Sequence, residues 1–76
     1  MKIIFETDDE FVTNHVSYKG KHICSERALI TDVCAWYYKI PLTKHKYTED
    51  QKEIAVKRYK EVRQKFIEQK IKETWE

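Results

Sequence analysis

Residues 48–75 read TEDQKEIAVKRYKEVRQKFIEQKIKETW. Thr48 and Gln51 have capping-box spacing, in which the Thr hydroxyl accepts an orphan helix amide and the Gln side chain reaches back to the Thr backbone. Glu49 and Asp50 place negative charge at the positive end of the helix dipole. Neither Gly nor Pro follows, and most residues in the stretch are strong helix formers. The pattern predicts one continuous helix over 48–75. A helix of about 27 residues is ~40 Å long. A compact chain of this size has a radius of gyration near 11 Å, hence a diameter of roughly 30 Å. Either the rod overhangs its domain or the fold is elongated.

The apolar residues of this helix fall into two stripes. Ala55, Tyr59, Val62 and Phe66 recur at i, i+4, i+7 and i+11. Ile67, Ile71 and Trp75, joined by Val56, lie about 100° round the axis. A helix packed on one layer should carry one gently drifting stripe. The first stripe therefore reads as the face toward the domain's own core. The second reads as a far end that meets another chain, with Ile67, Ile71 and Trp75 as anchors and Arg63 and Lys70 on the rim.

Upstream, Lys2–Thr7 reads as a short strand, and Thr7-Asp8-Asp9-Glu10 supplies turn residues. Phe11–Tyr18 alternates, with Val12, Asn14, Val16 and Tyr18 on one face and Phe11, Thr13, His15 and Ser17 on the other. Lys19-Gly20 holds the single Gly and is the natural place for a tight hairpin turn. Lys21–Cys24 returns as a third strand. Ser25 then reads as an N-cap, opening a helix over 26–40 whose core face includes Leu29, Ile30, Val33, Trp36, Tyr37 and Ile40. Pro41 closes that helix, and residues 42–47 connect it to the next. The expected fold is α+β within one domain over 1–76: a three-stranded antiparallel meander over 2–24, a short helix and a long C-terminal helix.

The chain has 76 residues, of which 41% are hydrophobic and 37% charged, with one Gly and one Pro. That composition excludes a disordered or collagen-like polymer, and a chain this short buries a core too small for a deep enclosed pocket. Net charge is +2, unevenly spread. Residues 1–10 carry Lys2 against Glu6, Asp8, Asp9 and Glu10, whereas residues 51–76 carry eight cations against five acids. Two cysteines do not make the disulfide framework a small secreted domain needs. No signal peptide is expected at the start, and no apolar run is long enough for a membrane span. A cytoplasmic protein without small-molecule substrate or cofactor is the expectation.

The residues contain elements of three kinds of chemistry. His22 and Cys24 alternate onto one strand face, and with Cys34 and His45 they contain the atoms of a zinc site. No CxxC or HxxxH pair supports it. Cys24, His22 or His15, and Asp32 contain the residue types of a thiol triad. With one Gly in the chain, no glycine-rich loop exists to shape an oxyanion hole or a phosphate cradle. Arg58, Lys65 and Lys72 are seven apart on the last helix, and Lys44 and Lys46 lie in the connector, where Tyr18, Tyr38 and Tyr47 join them only if the hairpin turn and the connector share one end. Together they suggest a nucleic-acid surface with stacking residues. Three Glu-to-Lys pairs at i, i+4 (Glu53–Lys57, Glu61–Lys65 and Glu68–Lys72) would dilute that field.

The expectation is a non-enzymatic protein-binding regulator, adaptor or inhibitor, a role that stand-alone mini-domains of phages and mobile elements often take. It would act on another protein or a second copy through its C-terminal helix. The alternative is a small DNA- or RNA-binding module.

Overall fold

The computed structural model describes residues 1–40 and 46–75. Strands β1 (Lys2–Thr7), β2 (Phe11–Tyr18) and β3 (Lys21–Leu29) form one antiparallel sheet in the order β1-β2-β3. Helices α1 (Ile30–Tyr38) and α2 (Glu49–Trp75) follow. The α+β class and element order match the sequence reading. Among the described residues no helix is long and apolar enough to cross a membrane.

Local chemistry accounts for the turns. Lys19 and Gly20 both have positive φ, at 52° and 79°, the combination of a two-residue primed hairpin whose twist suits the flanking strands. At the β1–β2 turn, Asp8 Oδ1 accepts from the N–H groups of Glu10 and Phe11 at 2.8 and 2.7 Å. The capping box forms in both directions: Thr48 N–H donates to Gln51 Oε1 at 3.0 Å and Gln51 N–H to Thr48 Oγ1 at 3.2 Å.

The boundary between β3 and α1 differs from the expectation. Ser25 is not a cap, because β3 continues through Leu29, which pairs with Phe11. Leu29 takes the N-cap position of α1 without a side-chain cap bond. Instead the Ile30 N–H donates to the Glu10 carbonyl at 2.8 Å. A partner strand long enough to pair overrides the local preference of Ser25 and Glu26. Lys39, at φ 59°, ends α1 with its N–H on the Ala35 carbonyl. Pro41 and the rest of the connector up to His45 lie outside the described residues.

A second departure sits inside β3. Val16 pairs with Cys24, but Ser17 pairs with His22, so Ile23 is an extra residue and the register shifts there. This is a β-bulge, which re-aims the side chains beyond it. Simple alternation puts His22 and Cys24 on the same face. The bulge instead sends His22 to the outer face with His15 and Ser25, while Ile23 packs toward the helices.

The helices cover one face of the sheet in two apolar clusters. The first joins Val12, Ile30, Val33, Cys34, Tyr47, Ala55 and Val56, with Phe5, Ala28, Tyr38 and Tyr59 against it. The second joins Val16, Ile67 and Ile71, with Ile3, Tyr18 and Ile23. Between them β2 presents Asn14, paired with Phe5 on one side and Glu26 on the other, and Glu26 takes the Arg63 guanidinium. The row of α2 that meets the sheet is thus Val56, Lys60, Arg63, Ile67 and Ile71, with two cations at its centre.

Of the two geometries that the helix length allows, the structure takes the elongated fold and not the overhang. The molecule measures 43 × 21 × 17 Å with a radius of gyration of 13.8 Å, so the whole fold is elongated along α2. Ile67 and Ile71 are core residues, not docking anchors. Ile71 is 6% exposed, held by the hairpin end of the sheet. Ile71→Ala should therefore cost about 2–4 kcal/mol of unfolding free energy in urea titrations. An exposed docking residue would instead change stability by about 0.5 kcal/mol or less.

Candidate functional site

The sequence-derived binding residues do not form one surface. Trp75 remains half-exposed, but its ring rests on Tyr18, with centroids 6.0 Å apart. Arg63 turns inward to Glu26, while its guanidinium also lies 4.8 Å from the Phe66 ring centroid. Lys70 Nζ is 6.0 Å from the same ring. The two expected rim cations thus frame Phe66 rather than the Ile67–Trp75 stripe.

Phe66 belongs to an apolar cleft of about 290 Å³ lined by Ala28, Asp32, Val33, Trp36, Tyr59, Val62, Arg63 and Phe66. It opens because α1 covers only the first part of α2. Below its last turns, the outward row of α2 has the edge of β3 beside it and no layer above. Trp36 stands edge-on to Tyr59 at 6.3 Å. Trp36 is 48% exposed and Phe66 53%, large fractions for side chains of this size. Both were expected in the core, Trp36 from its helical spacing and Phe66 as the end of the first stripe. Ala55 and Tyr59 of the first stripe meet the core as expected, but its end at Val62 and Phe66 is open, while Ile67 and Ile71 of the second are buried. The sequence signal for the site was the stripe Tyr59–Val62–Phe66 itself, read as an inward face.

The nucleic-acid set also disperses. Arg58 is engaged by Glu61 at 3.1 Å, and Lys52 by Glu49 at 3.4 Å. The expected Glu-to-Lys i, i+4 pairs do not form among the described residues; Glu68 instead accepts from Gln64. Lys46, Lys65 and Lys72 are exposed, and Lys44 lies outside the described residues. The aromatics are taken up internally. Tyr47 is buried, stacks on Tyr38 at 5.6 Å and donates its hydroxyl to the Ile40 carbonyl at 2.7 Å. Burial raises the phenol pKa of both Tyr38 and Tyr47.

The zinc and thiol-triad sets are not assembled. Cys34 is buried in the first cluster, where desolvation raises its thiol pKa, so it stays protonated and unreactive. Cys24 is exposed and separated from His22 by the bulge. Asp32 lines the apolar cleft on α1, and His45 lies outside the described residues. Among the described residues, no group of three or more His, Cys, Asp or Glu side chains can hold a metal ion. On the outer face, however, Ser25 Oγ is 2.9 Å from His15 Nδ1 and 2.8 Å from His22 Nε2. Glu6 lies 3.6 Å from His15 Nε2.

A second, polar cleft of about 470 Å³ lies between the β1–β2 turn and the start of α2. Thr7, Asp8, Asp9, Glu49 and Glu53 line it with Lys52, Lys57 and Lys60. Acids and cations alternate there, so it has no single charge preference.

No protein-family model, curated protein or solved structure matches this chain.

The turn beside the polar cleft has a definite acid response. Backbone hydrogen bonds from Phe11 and Glu10 hold the Asp8 carboxyl below its ordinary value of 3.8. A depressed folded-state pKa adds stability above the unfolded value, which is lost as pH falls through the folded value. Asp8→Ala should lower the melting temperature at pH 7. The gap between variant and wild type should narrow in thermal scans taken progressively below pH 3.8.

Proposed function

We propose that this chain is a non-enzymatic protein-binding module, a regulator, adaptor or inhibitor, that docks through the cleft between α1, α2 and the edge of β3. The observation that carries the reading is the exposure of Trp36 and Phe66 around an apolar hollow. Aromatic anchors beside a pocket are the usual energetic centre of protein interfaces, and a small soluble domain gains nothing in stability from leaving them open. The rim specifies the partner further. Arg63 and Lys70 lie against the ring of Phe66, which suits a protein segment offering an apolar side chain next to a carboxylate.

Sedimentation at two concentrations, followed by capture from the source cell, tests the proposal. Wild type should retain a specific protein. Phe66→Ser and Trp36→Ala should each weaken that interaction at least about tenfold, consistent with loss of a hot-spot anchor. Both variants should melt within a few degrees of wild type. A partner held equally well by both variants would sink the reading. So would nucleic-acid affinity that collapses between ~50 and ~200 mM salt, which would favour Lys65 and Lys72. Concentration-dependent self-association lost in both variants would identify the occupant as a second copy.

A further inference from the structure

We propose that His15 and His22 form a two-imidazole site on the outer face of the sheet for a borderline divalent transition-metal ion such as Cu²⁺, Ni²⁺ or Zn²⁺. It lies on the face opposite the apolar cleft and stands independently of it.

Three observations converge. First, two ring nitrogens from different strands point at one oxygen: His15 Nδ1 and His22 Nε2 are 2.9 and 2.8 Å from Ser25 Oγ. A hydroxyl has one proton, so it donates to one ring and accepts from the other. Second, the Glu6 carboxylate lies 3.6 Å from His15 Nε2, on the ring edge away from Ser25, so the tautomer protonated at Nε2 would leave the Nδ1 lone pair facing Ser25. A carboxylate behind a histidine is the usual outer partner of a metal-ligating imidazole, fixing its tautomer and orientation. Third, the convergence depends on the bulge. Were Ile23 paired regularly with Ser17, His22 would face Tyr18 on the helix side of the sheet, away from His15.

Imidazole nitrogens suit Cu²⁺, Ni²⁺ and Zn²⁺ over the hard cations Mg²⁺ and Ca²⁺. Nitrogen–metal bonds of about 2.0–2.1 Å require the exposed rings to close on the ion by side-chain rotation. His22 must also move its proton to Nδ1. Two protein nitrogens leave the remaining positions to the Ser25 hydroxyl and water, so the site is open and exchangeable. Two cations share this face: Lys2, across Ser17 from His22, and Arg27, in the row of Glu6 and Thr13 with its guanidinium 4.3 Å from the Phe11 ring centroid.

Calorimetric titration of the full chain with Ni²⁺, which the exposed Cys24 thiol does not reduce, should show one ion per chain. Cu²⁺ should bind more tightly than Ni²⁺ or Zn²⁺, following the Irving–Williams order. His15→Gln and His22→Gln should each lower affinity at least about tenfold, and Glu6→Gln by a smaller factor, because it acts by positioning. Cys24→Ser and His45→Gln should leave binding unchanged. In wild type, paramagnetic broadening by Ni²⁺ should centre on His15, His22 and Ser25, a readout that does not depend on any variant folding. No binding at millimolar ion would overturn the proposal. So would binding that survives either imidazole substitution, or that Cys24→Ser or His45→Gln removes.

Discussion

A 27-residue helix presents a face of about 40 Å, and only 76 residues are available to build and cover it. A three-stranded meander whose strands are six to nine residues long, the longest about 30 Å at 3.3 Å per residue, covers most of that face, and its hairpin end packs on Ile67 and Ile71. The centre of the contact is polar. Glu26 and Arg63, 37 residues apart in sequence, meet between two apolar clusters, with Asn14 buried in the neighbouring strand. Two buried polar atoms in this layer, Asn14 Oδ1 and Arg63 Nε, have no hydrogen-bond partner among the described residues. An acceptor and a donor left unpaired inside a contact cost stability. The layer therefore fixes register more than it strengthens the fold: sliding α2 by one turn would put Ile67 opposite Glu26.

The cleft follows from the same geometry. α1 has nine residues, about 13 Å at 1.5 Å per residue, so it covers only part of α2. The first cluster is closed by α1 and Tyr47, the second by Tyr18 and Ile23 from the hairpin end. Between those covers, the outward row of α2 at Val62 and Phe66 has nothing above it. Arg63 anchors one side of the gap through Glu26 while its guanidinium remains near Phe66, so one side chain both holds the helix and charges the rim of the hollow.

What the sequence disclosed depended on whether the deciding chemistry was local. The capping box at Thr48, the Lys19-Gly20 turn and the alternation of β2 are settled by residues within a few positions of each other, and all are present in the structure. The end of β3 was not legible, because Ser25 and Glu26 look like a helix start. Pairing with β2, of Ser25 with His15 and Glu26 with Asn14 and on to Leu29 with Phe11, keeps them extended. The buried row of α2 was hidden for another reason. Lys60 and Arg63 occupy two of its five positions, and long cations can bury their stems while keeping their charges solvated or paired. Counting apolar residues alone therefore missed the continuity of this row through its cations: it placed Ala55 and Tyr59 in the core, where they are, but put Val62 and Phe66 there as well and left Ile67 and Ile71 outside.

The bulge at Ile23 shows how a small irregularity can serve two surfaces at once. An extra residue in one strand disrupts a ladder hydrogen bond and is tolerated where something compensates. Here Ile23 turns toward the helices and joins Val16, Ile67 and Ile71, a cluster that would otherwise have little from β3 to close it. The same step reverses the parity of the residues before it, so His22 leaves the helix side and meets Ser25 and His15 in the open. Apolar closure is sufficient to account for the bulge's persistence. It does not account for what arrives on the other face, where a histidine from β2 and a histidine from the turn end of β3 meet on one hydroxyl and a carboxylate from β1 lies behind the first of them. Packing asks nothing of those three side chains, so their alignment is the part of the sheet that points to a ligand.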